Sequence, residues 1–208
     1  MKNGRLLMLL GAICMLAGLI WLAQIPYFFY RSDAVGQELL ARAKASAVDR
    51  AEGTTAGGSN AAPARSDADD EQGPPAAISP PLGWLTIPSL QLEAPILSGT
   101  DEEQIAVAVG HFQGSAALGT ESTALLAAHN ATYFRHIDRL KRGDEIQITT
   151  SAGVFTYQVT GASVAHAADG VVKMGGEGLV LMTCYPLDAL RQTEYRYLVY
   201  ATAKKPRA

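Results

Sequence analysis

The chain has 208 residues, 48% of them hydrophobic, and a formal net charge of −3. That length suits one ordinary domain with appendages, and so small a charge argues against a nucleic-acid partner or an acidic-tail role. The two cysteines, Cys14 and Cys184, cannot staple the fold, because Cys14 lies in an N-terminal apolar segment and Cys184 near the other end of the chain.

Residues Leu6 to Tyr30 are apolar apart from Gln24 and carry no charge. A helix needs roughly 20 such residues to span a bilayer. Trp21, Tyr27 and Tyr30 gather toward the end of the run like an interfacial belt. A cleaved signal peptide would have a shorter apolar stretch and a small-residue cleavage site, whereas bulky Ile25-Pro-Tyr-Phe-Phe-Tyr30 follows here. The expectation is an uncleaved single-pass anchor over 6–30 behind a short tail, 1–5. Basic residues do not orient it: Lys2 and Arg5 precede the segment, and Arg31, Arg42, Lys44 and Arg50 follow.

Residues 31–81 read as a helical stalk and a linker. Ser32 and Asp33 suit a helix start and the Ala-rich stretch to Ala51 suits a helix, but its apolar stripe is weak, which predicts a solvated stalk. Glu52 to Pro81 carries Gly57-Gly-Ser-Asn60, Asp67-Ala-Asp-Asp-Glu71 and Gly73-Pro-Pro75, too little apolar surface to fold, and reads as a flexible spacer.

From Leu82 the pattern changes to short strands broken by Gly, Pro, Asn and Asp, over a domain of 82–208. Gly83 to Pro88, Leu90 to Ser98, Ser122 to Ala128, Glu145 to Thr149, Val154 to Val159 and Tyr195 to Ala201 read as strands, and Asp101 to Val109 as a short helix. Pro95 places the second strand at an edge or bulge, and Arg142-Gly-Asp144 reads as a turn. With Gly178 to Cys184 this makes seven or eight strands, the pattern of an all-β sandwich or barrel.

The stretch Gly178-Leu-Val-Leu-Met-Thr-Cys-Tyr-Pro186 reads as a strand buried on both faces and stopped by its proline. That puts the Cys184 thiol where a buried scaffold meets solvent. A free cysteine is commonly just a small hydrophobe, yet an unpaired thiol outside the membrane is also a candidate nucleophile. Four histidines are available as its base. His129 ends an apolar strand as Cys184 does, so parallel strands bring both to one rim. His111, His136 and His166 read as capping or surface residues. An oxyanion needs a donor. If the Cys184 strand and the last strand form an antiparallel hairpin, Arg196 faces Cys184; Arg191, in the connecting loop, is the rival.

Ala127-Ala-His-Asn-Ala-Thr-Tyr-Phe134, Leu181-Met-Thr-Cys-Tyr-Pro186 and Tyr195-Arg-Tyr-Leu-Val-Tyr200 resemble the three signatures of sortases. Gly83 to Pro88, Ala94-Pro-Ile96 and Val109-Gly-His-Phe112 resemble the earlier part of that domain. The likeness covers Leu82 to Ala203, and Tyr-Pro after the cysteine is most like class D. Two departures bear on the subclass: Ala128-His129-Asn130 stands where Gly-His-Arg is commoner, and Met182 replaces a more usual residue.

The resemblance implies an eight-stranded β-barrel and a cysteine transpeptidase, with Cys184 as nucleophile, His129 as acid and base, and Arg196 as oxyanion or peptide donor. Thr183 would support the site from the preceding position. The implied partners are secreted proteins with a C-terminal Leu-Pro-x-Thr-Gly-like sorting signal and an amine from a peptidoglycan precursor or a pilin lysine; no cofactor or metal is implied. Such a reaction lies outside the cell membrane, which would make the N-terminus cytoplasmic. Other readings are a papain-like protease or L,D-transpeptidase, or a membrane-anchored binding barrel with Cys184 as core filler.

Overall fold

The computed structural model of the chain describes residues 14–16, 18, 33–47, 79–169, 176–189, 191 and 193–204. Among these residues no helix is long and apolar enough to cross a membrane. The expected anchor over 6–30, apart from residues 14–16 and 18, and nearly all of the expected linker lie outside the described residues.

Eight strands close a barrel: β1 (Gly83–Ile87), β2 (Leu92–Ser98), β3 (Val109–His111), β4 (Thr123–Ala127), β5 (Glu145–Thr150), β6 (Gly153–His166), β7 (Gly178–Tyr185) and β8 (Tyr195–Ala203). Around the barrel the order is β1-β2-β3-β4-β7-β8-β6-β5. Two pairs, β2 with β3 and β4 with β7, are parallel, and the rest are antiparallel. Parallel neighbours cannot be joined by a tight turn. The β5–β6 hairpin therefore fills the connection between β4 and β7 and closes the far side of the barrel onto β1.

The interior is aliphatic. Leu85, Ile87, Ile96, Leu126, Ile146, Ile148, Leu179 and Leu181 are wholly buried in one cluster, and each such side chain contributes about 1.5–3 kcal/mol on leaving water. A smaller cluster of Leu125, Val180 and Leu198 covers the outer face of β4, β7 and β8, with Phe112, Met182 and Tyr200 against it. β7 is thus buried on both faces, as its uninterrupted apolar run requires.

Three local readings are corrected by the structure. The helix expected over Asp101 to Val109 is shorter, Glu102–Ile105, and Val109 begins β3, a three-residue strand whose only sequence mark is Val109 itself. β6 does not stop at Val159; a register shift between Val159 and Gly161 lets it continue to His166 along β8. Such an irregularity breaks the alternation by which a strand is read. Pro95 behaves as its chemistry demands: β3 pairs only with Ile96 to Ser98, so no partner on that side asks for the missing N–H.

The third correction concerns residues 33–47, which are helical and not solvated throughout. Leu39, Leu40 and Ala43 are buried, and Leu39 packs with Leu97 and Ala108. Lys44 pairs with Glu93 at 2.7 Å. A side chain at Gly36 would meet Tyr133 Oη at 2.0 Å and the Val107 carbonyl at 2.9 Å, so only glycine allows this close approach. Tyr133 Oη donates to Val107 O at 2.9 Å. Burial, reinforced by Asp33, pushes its pKa up to about 12. The contact stripe is narrow, formed by Leu39, Leu40 and Ala43 with Gly36 set against Tyr133, so hydrophobic weight alone does not reveal it.

Candidate active site

β7 sits between β4 and β8, and its register places the chemistry. In the antiparallel pairing with β8, Cys184 lies directly opposite Arg196. In the parallel pairing with β4, Met182 lies opposite Ala127, and the Ala128 N–H donates to Met182 O at 3.2 Å. His129 therefore leaves its strand at the height of Cys184, one residue before the end of β7. Cys184, His129 and Arg196 line one cavity of about 640 Å³, together with Glu102, Met182 and Arg191. The parallel strands and the hairpin that sequence reading required are both present.

Each group is held by short backbone ties. The Thr183 hydroxyl, buried, donates to Ala128 O at 2.7 Å, linking the residue before the cysteine to the residue before the histidine. The chain after His129 turns back on it: the amides of Thr132 and Phe134 both donate to His129 O. Arg196 Nη1 donates to Thr193 O at 2.5 Å and to Tyr195 O at 3.0 Å, which fixes the guanidinium at the entrance to β8. The Thr193 hydroxyl donates to Tyr185 O at 2.6 Å and closes the loop between β7 and β8. Arg191 lies within that loop, and both arginines reach the cavity.

Electrostatics act on His129 in opposite directions. Burial lowers its pKa below the ordinary 6.5, and the nearby Glu102 charge pulls it partly back. The neutral imidazole is therefore favoured, which keeps a proton acceptor available. Cys184 is half-buried and free of any disulfide. Among the described residues no group of three or more His, Cys, Asp or Glu side chains is arranged to hold a metal ion.

The other histidines sit elsewhere. His111 is buried on β3, with Nε2 against Ala116 O at 2.9 Å. His136 is exposed and precedes a short 3₁₀ turn. His166 ends β6, edge-on to Tyr195 at 5.2 Å and 3.9 Å from Glu194.

One residue in the site escapes sequence reasoning. Asn130 is buried, and its side-chain nitrogen donates to Leu187 O at 3.0 Å and Ala189 O at 2.8 Å. It joins the histidine loop to the loop that connects Cys184 with Arg196. Two facing carbonyls require the amide nitrogen there. The signal was present in the sequence as the unusual residue after His129, but nothing in it identified carbonyls 57 and 59 residues away.

A β-barrel that gathers cysteine, histidine and arginine at the ends of adjacent strands defines the class, and the comparisons agree with it. The Sortase domain family model matches residues 85–204. The chain is 31% identical over 121 residues to Sortase D of Bacillus subtilis, covering 57% of this chain and 61% of that protein. It is 28% identical over 124 residues to Sortase A of Bacillus anthracis, covering 57% of each. Among solved structures, sortase C1 of Streptococcus agalactiae superposes with a TM-score of 0.55 at 29% identity, over 61% of this chain and 69% of that one. Sortase A from Corynebacterium diphtheriae gives 0.56 at 28% identity, over 64% of each chain. The chain belongs to the sortase family. It spans about three fifths of the length of the curated relatives it matches.

Asn130→Ala removes the donor from two partly buried carbonyls, at a cost of about 1 kcal/mol. We expect a lowered Tm and a fall in turnover of roughly tenfold or more, following the cost of misplacing a catalytic group. Asn130→Asp, similar in shape but without the N–H₂, should lose as much. Full activity in Asn130→Asp would show that the tie does not position His129.

Proposed function

We propose that this chain is a membrane-anchored cysteine transpeptidase acting on secreted proteins with a C-terminal Leu-Pro-x-Thr-Gly-like signal. The observation that carries the reading is the shared cavity: Cys184 opposite Arg196 across one strand pair and level with His129 across the other. Membership of the sortase family supports it.

In this mechanism Cys184 Sγ attacks the carbonyl carbon of the Thr in the signal as its thiol proton passes to the neutral His129 imidazole. The carbonyl oxygen gains negative charge, and Arg196 donates hydrogen bonds to it or to the signal's backbone. The Thr–Gly C–N bond breaks as His129 protonates the leaving amine, leaving a thioester on Cys184. An incoming amine then attacks the thioester carbon and gives its proton to neutral His129. The C–S bond breaks, an amide forms, and the thiol and imidazole are restored. Ala127 and Met182 supply an apolar wall beside Cys184, suited to the nonpolar part of such a signal. The amine acceptor is a peptidoglycan precursor or a pilin lysine.

The apolar run over 6–30 would anchor the enzyme, with the barrel outside the cell membrane. Tethering raises the effective concentration of an enzyme relative to substrates held on the same membrane. The helix at 33–47 is docked on the barrel and so is not itself part of the tether.

Arg196 and Arg191 both reach the cavity, but only Arg196 has its backbone fixed opposite Cys184. With a sorting-signal peptide, Arg196→Ala should lose on the order of 100-fold in kcat/KM, the loss typical of removing an oxyanion donor. Arg191→Ala should lose far less at similar Tm. The reverse order would overturn the assignment of Arg196.

The pH dependence follows from burial. His129 must be neutral to take the amine's proton, and its pKa lies below 6.5. The acid limb for the His129-dependent amine transfer should therefore be centred below pH 6.5 when transfer is followed at saturating peptide and with the acceptor corrected for its own ionisation. A limb centred above 6.5 would contradict that role.

A further inference from the structure

The cavity contains two guanidinium groups, Arg191 and Arg196, yet the second substrate of the reaction proposed above arrives as a cation. A primary amine is protonated at neutral pH, so both arginines repel it. The amine must nevertheless come within reach of His129, which takes its proton. Something on the His129 side of the cavity has to favour positive charge there.

Glu102 is the one acidic side chain lining the cavity among the described residues. It is solvent-exposed at the start of the short helix Glu102–Ile105, a turn set by the Asp101 N–H donating to Gln104 Oε1 at 3.2 Å. Ile105, one turn on, also lines the cavity, and its side chain lies in close approach to Gly110 on β3. This anchors the short helix at the rim and holds Glu102 toward the cavity. The ionisable groups around the space are Glu102, His129, Cys184, Arg191 and Arg196. The field of Glu102 reaches His129, as its upward pull on that imidazole shows. Thr132 lines the same cavity, and its hydroxyl oxygen is buried with no hydrogen-bond partner among the described residues.

We propose that Glu102 and Thr132 form the subsite for the incoming amine, binding it as an alkylammonium beside His129. An ammonium carries three donors. The Glu102 carboxylate and Thr132 Oγ1 accept two of them, and the neutral imidazole accepts the third. Transfer of that third proton through His129 to solvent yields the free amine and restores the neutral imidazole. The amine's lone pair then attacks the thioester carbon on Cys184, and its second proton passes through His129 to the departing sulfur. Arg191 and Arg196 remain on the side of the cavity where negative charge develops. The cavity is thus divided by charge, cationic where the oxyanion forms and anionic where the amine enters. This assignment rests on the transpeptidase reading and extends it to the acceptor.

The test uses the full chain with a sorting-signal peptide and two acceptors. One is a peptide offering a lysine ε-amine, a cation at pH 7.5. The other is hydroxylamine, which is neutral at that pH. Thioester formation is followed separately by mass spectrometry. Glu102→Gln should lower the preference for the lysine peptide over hydroxylamine, measured as a ratio of kcat/KM values, by roughly three- to tenfold, as expected for one partly exposed ion pair. Glu102→Asp should recover part of it, and added salt should erode the wild-type preference but not that of Glu102→Gln. An unchanged ratio in Glu102→Gln would overturn the proposal, as would an equal loss with both acceptors, which would make Glu102 a positioning residue for His129. If the wild-type chain forms no thioester with the peptide, the transpeptidase reading itself fails, and the subsite fails with it.

Discussion

Everything in the site depends on the register of one strand. β7 has β4 on one side and β8 on the other, and its residues alternate between the barrel interior and the outer face. Leu179 and Leu181 go inward to the main core, and Val180 and Met182 go outward to the second cluster. Cys184 follows Met182 outward. A slip of one residue would reverse this and bury the thiol under the barrel mouth. The register is fixed on both sides by ladders of five and eight residue pairs. It is also fixed at Gly178, where an added Cβ would come within 3.0 Å of Thr123 Oγ1. The core therefore does more than stabilise the barrel. It determines which way the Cys184 thiol points.

A strand ladder sets height and facing, but it does not hold loops. His129 and the segment after Pro186 lie beyond the ladder, and two side chains complete the frame. Thr183 reaches back to Ala128, and Asn130 reaches across to Leu187 and Ala189. His129 is thus clamped through both of its neighbours to both sides of Cys184. The Thr183 tie is buried and the Asn130 side chain is buried at its end of the other, where a hydrogen bond is less open to competition from water and leaving one unmade is costly. The exposed ion pairs Arg42–Glu38 and Lys44–Glu93 carry no comparable constraint.

Much of this was legible in the amino-acid sequence, for reasons that differ by residue. The buried run Leu179 to Met182 and the strand-ending Pro186 announce β7 because burial on both faces leaves no polar position. His129 and Cys184 stand out because each ends such a run. The facing of Arg196 follows once a hairpin is assumed, since the loop from Tyr185 to Glu194 admits few registers. What escaped was what depends on distant backbone. β3 is too short to show alternation, and the irregularity after Val159 disguises the second half of β6. The docking of residues 33–47 turns on Gly36 meeting Tyr133, a contact between residues nearly a hundred positions apart. Asn130 was visible as an oddity, but its partners are carbonyls, which no residue type reveals.

The docked helix also changes the physical picture of the chain. It joins the segment nearest the apolar N-terminal run to the loop that carries His129, through Tyr133 and Val107. The central claim remains the covalent one: acyl transfer through the Cys184 thiol. Its most direct measurement is mass spectrometry of the full chain quenched in acid during turnover of a Leu-Pro-x-Thr-Gly peptide. The account predicts an adduct equal to the peptide up to its Thr, carried on the fragment containing Cys184, labile to hydroxylamine and absent from Cys184→Ala. An adduct on another residue, or undiminished cleavage by Cys184→Ala, would contradict it.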